Sequence, residues 1–345
     1  MSNEPKVLDF ETFYDLTDKK QKIDFLSYDV VDLEMCDLGE YKKIAFKKGA
    51  EVNLGGAEPL PQELDVSQCA SVDLSGRDLS AVKNKITLRD GASFSYTSGL
   101  NGGIHLSNVP PLTNVDFSRC AKVTINGTEL SHYKDFKFKD GADVSITRCT
   151  NLPENIDFSQ CEAVQLSGCD LSNQQNLKFK DGATVDLSGC TNIPETLDLS
   201  HCERVILQGM DLSQVKNLKF KEGAQVDLSG CTNIPENIDF SVCAAVNLSQ
   251  ADLSNFKELK LKDGASLDLS DCKRLPEKVD FDKCAVVNLS QTDLLGRTDL
   301  KFRDGAIVDM SRAENIPEEV DFSTCAQLNL SRCDLSSEFI GEERT

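Results

Sequence analysis

The chain has 345 residues, 39% of them hydrophobic, so it can bury a sizeable core, and its formal charge of −20 surrounds it with an anionic field. That field disfavours nucleic acid and anionic membranes as partners and favours basic protein surfaces. Three His, no Trp and 17 Phe argue against metal or acid–base chemistry and for a recurring aromatic core position.

The N-terminus, MSNEPKVLDFETF, lacks the charged region and apolar run of a secretory signal. No window approaches the roughly 18 apolar residues of a membrane span. The expected location is cytoplasmic as synthesised, with a non-Sec route as the way into a host cell. Leu8, Phe10, Phe13, Tyr14 and Leu16 fall at helical spacing. A short amphipathic helix is therefore expected within an N-terminal cap, residues 1–22, covering the first coil of a repeat array.

From residue 23 the chain copies itself. The string VDLSGCTNIPE occupies Val185 to Glu195 and recurs letter for letter from Val226 to Glu236. Aligning the IDF-like triplets puts Asp24, Asp65, Asp116, Asp157, Asp198, Asp239, Asp280 and Asp321 in one column, 41 residues apart except for one interval of 51. Each repeat divides into related halves, IDFSQCEAVQLSGCDLSNQQN from Ile156 and LKFKDGATVDLSGCTNIPET from Leu177, so the unit is 20 or 21 residues. Such periodicity means a solenoid. The apolar-x-Phe and V-x-L triplets alternate with period two, a strand signal. The S-G, D-G and N-x-P turns leave no room for a long helix. The expectation is a right-handed, mostly β solenoid with short parallel strands in two sheets. A single domain would span residues 23–335 as eight 41-residue repeats, the last incomplete, followed by a tail at 336–345.

The columns assign most residues to the framework. Phe25, Phe46, Phe117, Phe138, Phe158, Phe179, Phe220, Phe240, Phe281, Phe302 and Phe322 should form an inward spine. The fourteen Cys follow the repeat rather than pairing locally, which reads as reduced thiols. Cys69, Cys120, Cys161, Cys202, Cys243, Cys284 and Cys325 share one column, and Cys149, Cys190, Cys231 and Cys272 another. A third holds Cys36, Cys169 and Cys333 with Arg77, Thr128, Met210, Ala251 and Thr292. Small buried hydrophobes are the expected role. Asp157, Lys178, Asp198, Lys219, Asp239, Lys260, Asp280, Lys301 and Asp321 alternate in sign through successive coils. They are expected to form a ladder of cross-strand ion pairs.

Two regions are candidates for binding. The outward positions of the V-x-L-S strands run Gln165, Asp186, Ile206, Asp227, Asn247, Asp268, Asn288, Asp309 and Asn329, and are expected to face solvent beside a row of serines, with Asp186, Asp227, Asn247, Asp268, Asn288, Asp309 and Asn329 as candidate contacts. Two readings stand for this face: a surface for a basic partner, or a solubilising surface. The other region is an insertion near residues 100–107, within YTSGLNGGIHLSNVPP, where Leu100, Asn101 and His105 are candidate contacts. Insertions in solenoids emerge as loops on one edge.

Read from Cys161, the pattern C-x-x-V-x-L-x-x-C-x-L resembles the leucine-rich repeat segment LxxLxLxx(N/C)xL. A second strand follows where many such proteins have a helix, as in the short irregular 20/21-residue repeats of bacteria. NIPENIDFS and NIPETLDLS resemble the turn of effector-type repeats in enteric pathogens. The resemblance implies that the Cys149 column satisfies buried loop carbonyls. It also implies a bacterial effector, secreted and acting on a host protein. The functional expectation is a non-enzymatic protein-interaction scaffold acting as a monomer, without cofactor, metal, nucleic acid or membrane insertion. The alternatives are the binding domain of a larger enzyme, or a structural surface-display solenoid.

Overall fold

The computed structural model describes residues 4–56, 59–100, 104–105, 115–131, 133, 136–272 and 274–333. It is a parallel β-solenoid with about 21 residues per turn, close to leucine-rich repeats in its coils. The chain divides into two compact units, Met1–Lys180 and Asp181–Thr345.

Unit 1 opens with the expected helix, Phe10–Asp18. Its start is set by Asp9, whose Oδ1 accepts the Thr12 N–H at 2.9 Å, the usual N-cap arrangement. The apolar stripe is narrower than the sequence implied. Phe13 is buried, but Phe10 and Tyr14 remain 49% and 41% exposed and stack on each other at 4.5 Å. Leu8 belongs instead to a strand, Val7–Leu8, paired in parallel with Val30–Val31. A chain of rings links the helix to the first coils: Phe13 meets Tyr41, which meets Phe25, which meets Phe46.

Eight parallel strands then line one side of unit 1, from Val7–Leu8 to Cys161–Gln165. In unit 2 eight more run from Thr184–Asp186 to Gln327–Asn329. Most are three residues long, with the central Val or Leu inward. Every second coil turns at a glycine corner, D-G in most repeats, where the seven glycines take φ between 76° and 83°, a conformation that a side chain would strain. The corner N–H of Gly141 reaches Gln160 O on the next coil at 2.8 Å, and that of Gly223 reaches Val242 O at 2.7 Å.

The second side does not form the continuous sheet expected. Its strands pair two by two, as Lys43–Ala45 with Glu63–Asp65 in unit 1 and Thr196–Leu199 with Asn217–Phe220 in unit 2. Prolines, which lack an N–H to give to a ladder, stand ahead of further strands of this side, Pro153 before Asp157–Phe158 and Pro276 before Lys278–Val279. Side chains take over. Gln174 accepts from Ile156 N–H and donates to Pro153 O, while Arg297 donates to Pro276 O and Asp299 accepts from Val279 N–H.

The Phe spine is present in segments. Phe138, Phe158 and Phe179 stack in unit 1, and Phe220 with Phe240 in unit 2. Leu199 and Leu261, both buried, occupy the column where the aromatic run stops. Phe302 and Phe322 stay half-buried near the end of the described chain. There Leu328 is 39% exposed, whereas Leu8 and Val31 at the start are 0%. The expected tail at 336–345 lies outside the described residues.

All fourteen Cys are free thiols, twelve of them buried. The second and third Cys columns are one column, since Cys149 and Cys169 both stand five residues after the inward Val144 and Val164, which pair directly. Its members cap carbonyls of earlier coils: Cys231 donates to Leu207 O at 2.9 Å, Cys272 to Leu248 O at 3.1 Å and Thr292 to Leu269 O at 3.0 Å. Arg77 does the same at 0% exposure, donating to Leu54 O and Cys36 O. Burial pushes the thiols of Cys161, Cys202 and Cys272 up to about 12, which suits packing rather than reactivity.

The expected ion-pair ladder is absent among the described residues. Asp157 and Lys178, and Asp198 and Lys219, are in register. The short Asp side chains nevertheless fold back on their own turns, accepting Ser159 N–H at 2.9 Å and Ser200 N–H at 3.0 Å. Ion pairs form instead at the D-G corners. Lys180 reaches Asp140 at 2.8 Å in unit 1, while Lys221 reaches Asp181 and Arg303 reaches Asp263 at 3.0 Å in unit 2. Partners are 40 residues apart, so each long side chain spans the coil between them.

Candidate interaction surface

On the long side of each unit the residues flanking the inward Val point outward in two rows. The row after it is nearly constant only in unit 2, where Asp186, Asp227, Asn247, Asp268, Asn288, Asp309 and Asn329 are interrupted by Ile206; in unit 1 it starts as Asp32, Asn53 and Asp73 and continues as Ser95, Thr124, Ser145 and Gln165. All seven candidate row residues therefore share one side of unit 2. In-register pairs bring Asp227 beside Asn247, Asn247 beside Asp268, Asp268 beside Asn288, and Asp309 beside Asn329.

These side chains do not simply face solvent, contrary to the expectation. Asp186, Asp227, Asn247, Asp268, Asn288 and Asp309 are half-buried. Each offers Oδ1 to the N–H two residues on, as in Asp227 to Ser229 at 2.9 Å, Asp268 to Ser270 at 2.8 Å and Asp309 to Ser311 at 2.8 Å. An Asx turn of this kind needs the carbonyl-type oxygen that both Asp and Asn carry. Their remaining atoms tie neighbouring coils together. Asn288 donates to Asp268 Oδ2 at 3.0 Å, Asn329 to Asp309 Oδ2 at 3.1 Å and Gln208 to Asp227 Oδ2 at 2.8 Å. Burial works against the charge of Asp309, yet the hydrogen bonds from Ser311 and Asn329 hold its carboxyl below the ordinary value. Asp309 thus keeps its negative charge while serving the turn.

Sequence reasoning missed the row before the inward Val. In unit 2 it runs Arg204, Gln225, Ala245, Ser266, Val286 and Ile307, and Val286 and Ile307 are 37% and 40% exposed. Across the coils of unit 2 this column varies while its neighbour is Asp or Asn at every strand but Ile206, and that contrast was the available signal. Each unit carries a shallow depression on this side. In unit 1 it measures about 520 Å³ and is lined by Asp32, Glu51, Asn53, Asp73, Ser95 and Lys122 among others. In unit 2 it measures about 220 Å³ between Arg204, Gln225, Asp227, Asn247, Ser266 and Asp268.

The insertion forms an antiparallel hairpin in unit 1, with Gly99–Leu100 paired to Ile104–His105. The backbone register sets Leu100 against Ile104 and His105 against Gly99. Asn101 lies outside the described residues. Among the described residues no group of three or more His, Cys, Asp or Glu could hold a metal ion, and no helix is long and apolar enough to cross a membrane. No known family, curated protein or solved structure matches the chain.

Proposed function

We propose that the protein is a non-catalytic interaction scaffold that presents the outward side of its long-side strands to a basic protein surface. One observation carries the reading: in unit 2 a hydrogen-bonded row that is Asp or Asn at every strand but Ile206 stands beside a row whose residues change from coil to coil. The constant row keeps the turn and supplies negative charge; the variable row can encode which partner fits. In unit 2 the exposed Val286 and Ile307 stand beside Asp268, Asn288 and Asp309. A partner segment that alternates Lys or Arg with an aliphatic side chain complements this stretch. Carboxylates at such a site chiefly steer association, and their effect weakens with salt. The likeness of the N-I-P-E turn to effector-type repeats supports a finer reading, a bacterial effector bound to a host protein.

Selection of peptides from a random display library against the full chain tests this. The expected winners are basic with aliphatic residues. They should shield Asp227, Asp268 and Asp309 from carbodiimide labelling and bind less well to Ile307→Ser. Shielding confined to the corner carboxylates Asp263 and Asp304, or no shielding of Asp227, Asp268 and Asp309, would place the interaction elsewhere.

A further inference from the structure

The solenoid keeps its thiols apart, with one exception inside a unit. The first Cys column alternates with Ala, as Cys120 with Ala92 and Ala142 with Cys161. In unit 2 the other column runs Cys190, Met210, Cys231, Ala251, Cys272, Thr292, Ala313, Cys333. No two thiols there occupy consecutive coils. In unit 1 the same column places Cys149 directly before Cys169.

The local geometry brings these two together. The strands ahead of them pair in register, Val144 with Val164. The turn residues just before each Cys, Arg148 and Gly168, both take positive φ, at 51° and 72°. The turns stack so closely that a Cβ on Gly168 would lie 3.3 Å from Arg148 Cγ. Cys149 N–H donates to Cys169 Sγ at 3.4 Å. Each thiol also faces a carbonyl, Thr147 O at 3.3 Å for Cys149 and Ile146 O at 3.2 Å for Cys169. Adjacent strands lie about 4.8 Å apart, within the roughly 4.4 to 6.8 Å between Cα atoms that a disulfide accepts.

We propose that Cys149 and Cys169 form a dithiol site that hydrogen peroxide closes to a disulfide. Exposure of 1% and 0% restricts the oxidant to a molecule close to water in size. The contact with the Cys149 side chain and the hydrogen bond from the Cys149 backbone N–H hold the Cys169 thiol below the ordinary value, while the same contact and burial push Cys149 up. Cys169 is therefore the first nucleophile. Its thiolate attacks one peroxide oxygen, the O–O bond breaks, and the departing hydroxide takes up a proton as water, leaving a sulfenic acid on Cys169. The Cys149 sulfur then attacks the Cys169 sulfur, and the displaced hydroxide leaves with the Cys149 proton as a second water. Two thiols lose two electrons and two protons; one peroxide gains them. The product is neutral, so it suits an apolar interior better than a thiolate does.

Treatment of the native full chain with hydrogen peroxide, followed by alkylation in denaturant, tests the site. Trypsin with a glutamate-specific protease separates residues 149–154, 155–162 and 163–178, so the three nearby thiols report independently. The expected result is a disulfide joining 149–154 to 163–178, with Cys161 still a free thiol. It should form before Cys231 or Cys272 is oxidised, because neither of these has a second thiol in its column on an adjacent coil. In a variant carrying both Cys149→Ser and Cys190→Ser, which removes the thiols before and after Cys169 in its column, the sulfenic acid on Cys169 should be trapped by dimedone. Recovery of Cys149 and Cys169 as two alkylated thiols, while Cys231 and Cys272 oxidise equally fast, would overturn the proposal. So would a double variant in which dimedone marks no Cys169.

Discussion

Unit 2 and the middle of unit 1 solve one packing problem differently. In unit 2 the column five residues after the inward Val holds only small or flexible side chains, and the long-side strands are three residues each. In unit 1 the column admits Arg77 and Thr128, Tyr96 OH donates to Arg77 O at 3.0 Å, and neighbouring strands lengthen to six or seven residues, Ala92–Thr97, Cys120–Asn126 and Ala142–Thr147. The hairpin insertion follows the first of these. Where coils are near-copies, a minimal strand suffices because each coil meets the same neighbour above and below. Where one coil departs, longer ladders and buried polar side chains replace what the repeat no longer supplies.

The sharpest way to break this contrast is to truncate the same column in both units. Arg77→Ala leaves Leu54 O and Cys36 O without their donor and opens a cavity, so it should cost about 3 kcal/mol or more. Cys231→Ala removes one S–H donor from a site whose counterpart, Ala251, is already Ala, and should cost about 1 kcal/mol. Urea unfolding followed by hydrogen exchange resolves the two units. The first variant should lose protection in unit 1 alone. Equal losses would mean that the column carries the same load throughout.

Unit 1 also holds a distinctive carboxylate. Burial alone would raise Asp116, but hydrogen bonds from Lys85 and Ser118, with the Lys85 charge, bring it down to about 2 from the ordinary 3.8. A depressed carboxylate contributes stability that is complete above the unfolded value and disappears as pH falls through the folded one. Unit 1 should therefore lose stability between about pH 4 and pH 2 through Asp116, an acid limb that Lys85→Met flattens. Comparison of urea midpoints across that range for both proteins measures it, and an unchanged slope would remove Asp116 from the explanation.

The repeat columns were legible as letters: the 41-residue period, the Phe spine, the D-G corners and the buried thiols follow from copied sequence alone. The identity of two Cys columns was hidden by aligning on the Asp triplets, whereas the offset from Val144 to Cys149 and from Val164 to Cys169 is the same. The destinations of polar side chains were not legible. An Asp on the outer face of a strand has two outlets, solvent or the N–H two residues on, and the turn wins at Asp227 and Asp268. A Lys has several coils in reach, and the choice of Asp181 by Lys221 depends on chain direction at the corner. For the same reason the exposed row at Val286 and Ile307 emerged only when the fold set it beside the Asp/Asn row.

The smallest effect is expected at those corners. Lys221 and Asp181 are paired but exposed, and such pairs are screened. Lys221→Met should leave the urea midpoint unchanged at physiological salt and lower it slightly at low ionic strength. A large loss at both salts would show that the corner pairs hold the coils together.

The central claim, that the coils of unit 2 are interchangeable framework, is tested most directly by removing one whole repeat. Deleting residues 198–238 joins Leu197 to Asp239 in the register that both copies share. The shortened protein should unfold cooperatively in urea, with far-ultraviolet circular dichroism per residue equal to that of the full chain. A chain that is unfolded or aggregated after this deletion would contradict the claim and show that the copied segments are unique parts rather than building blocks.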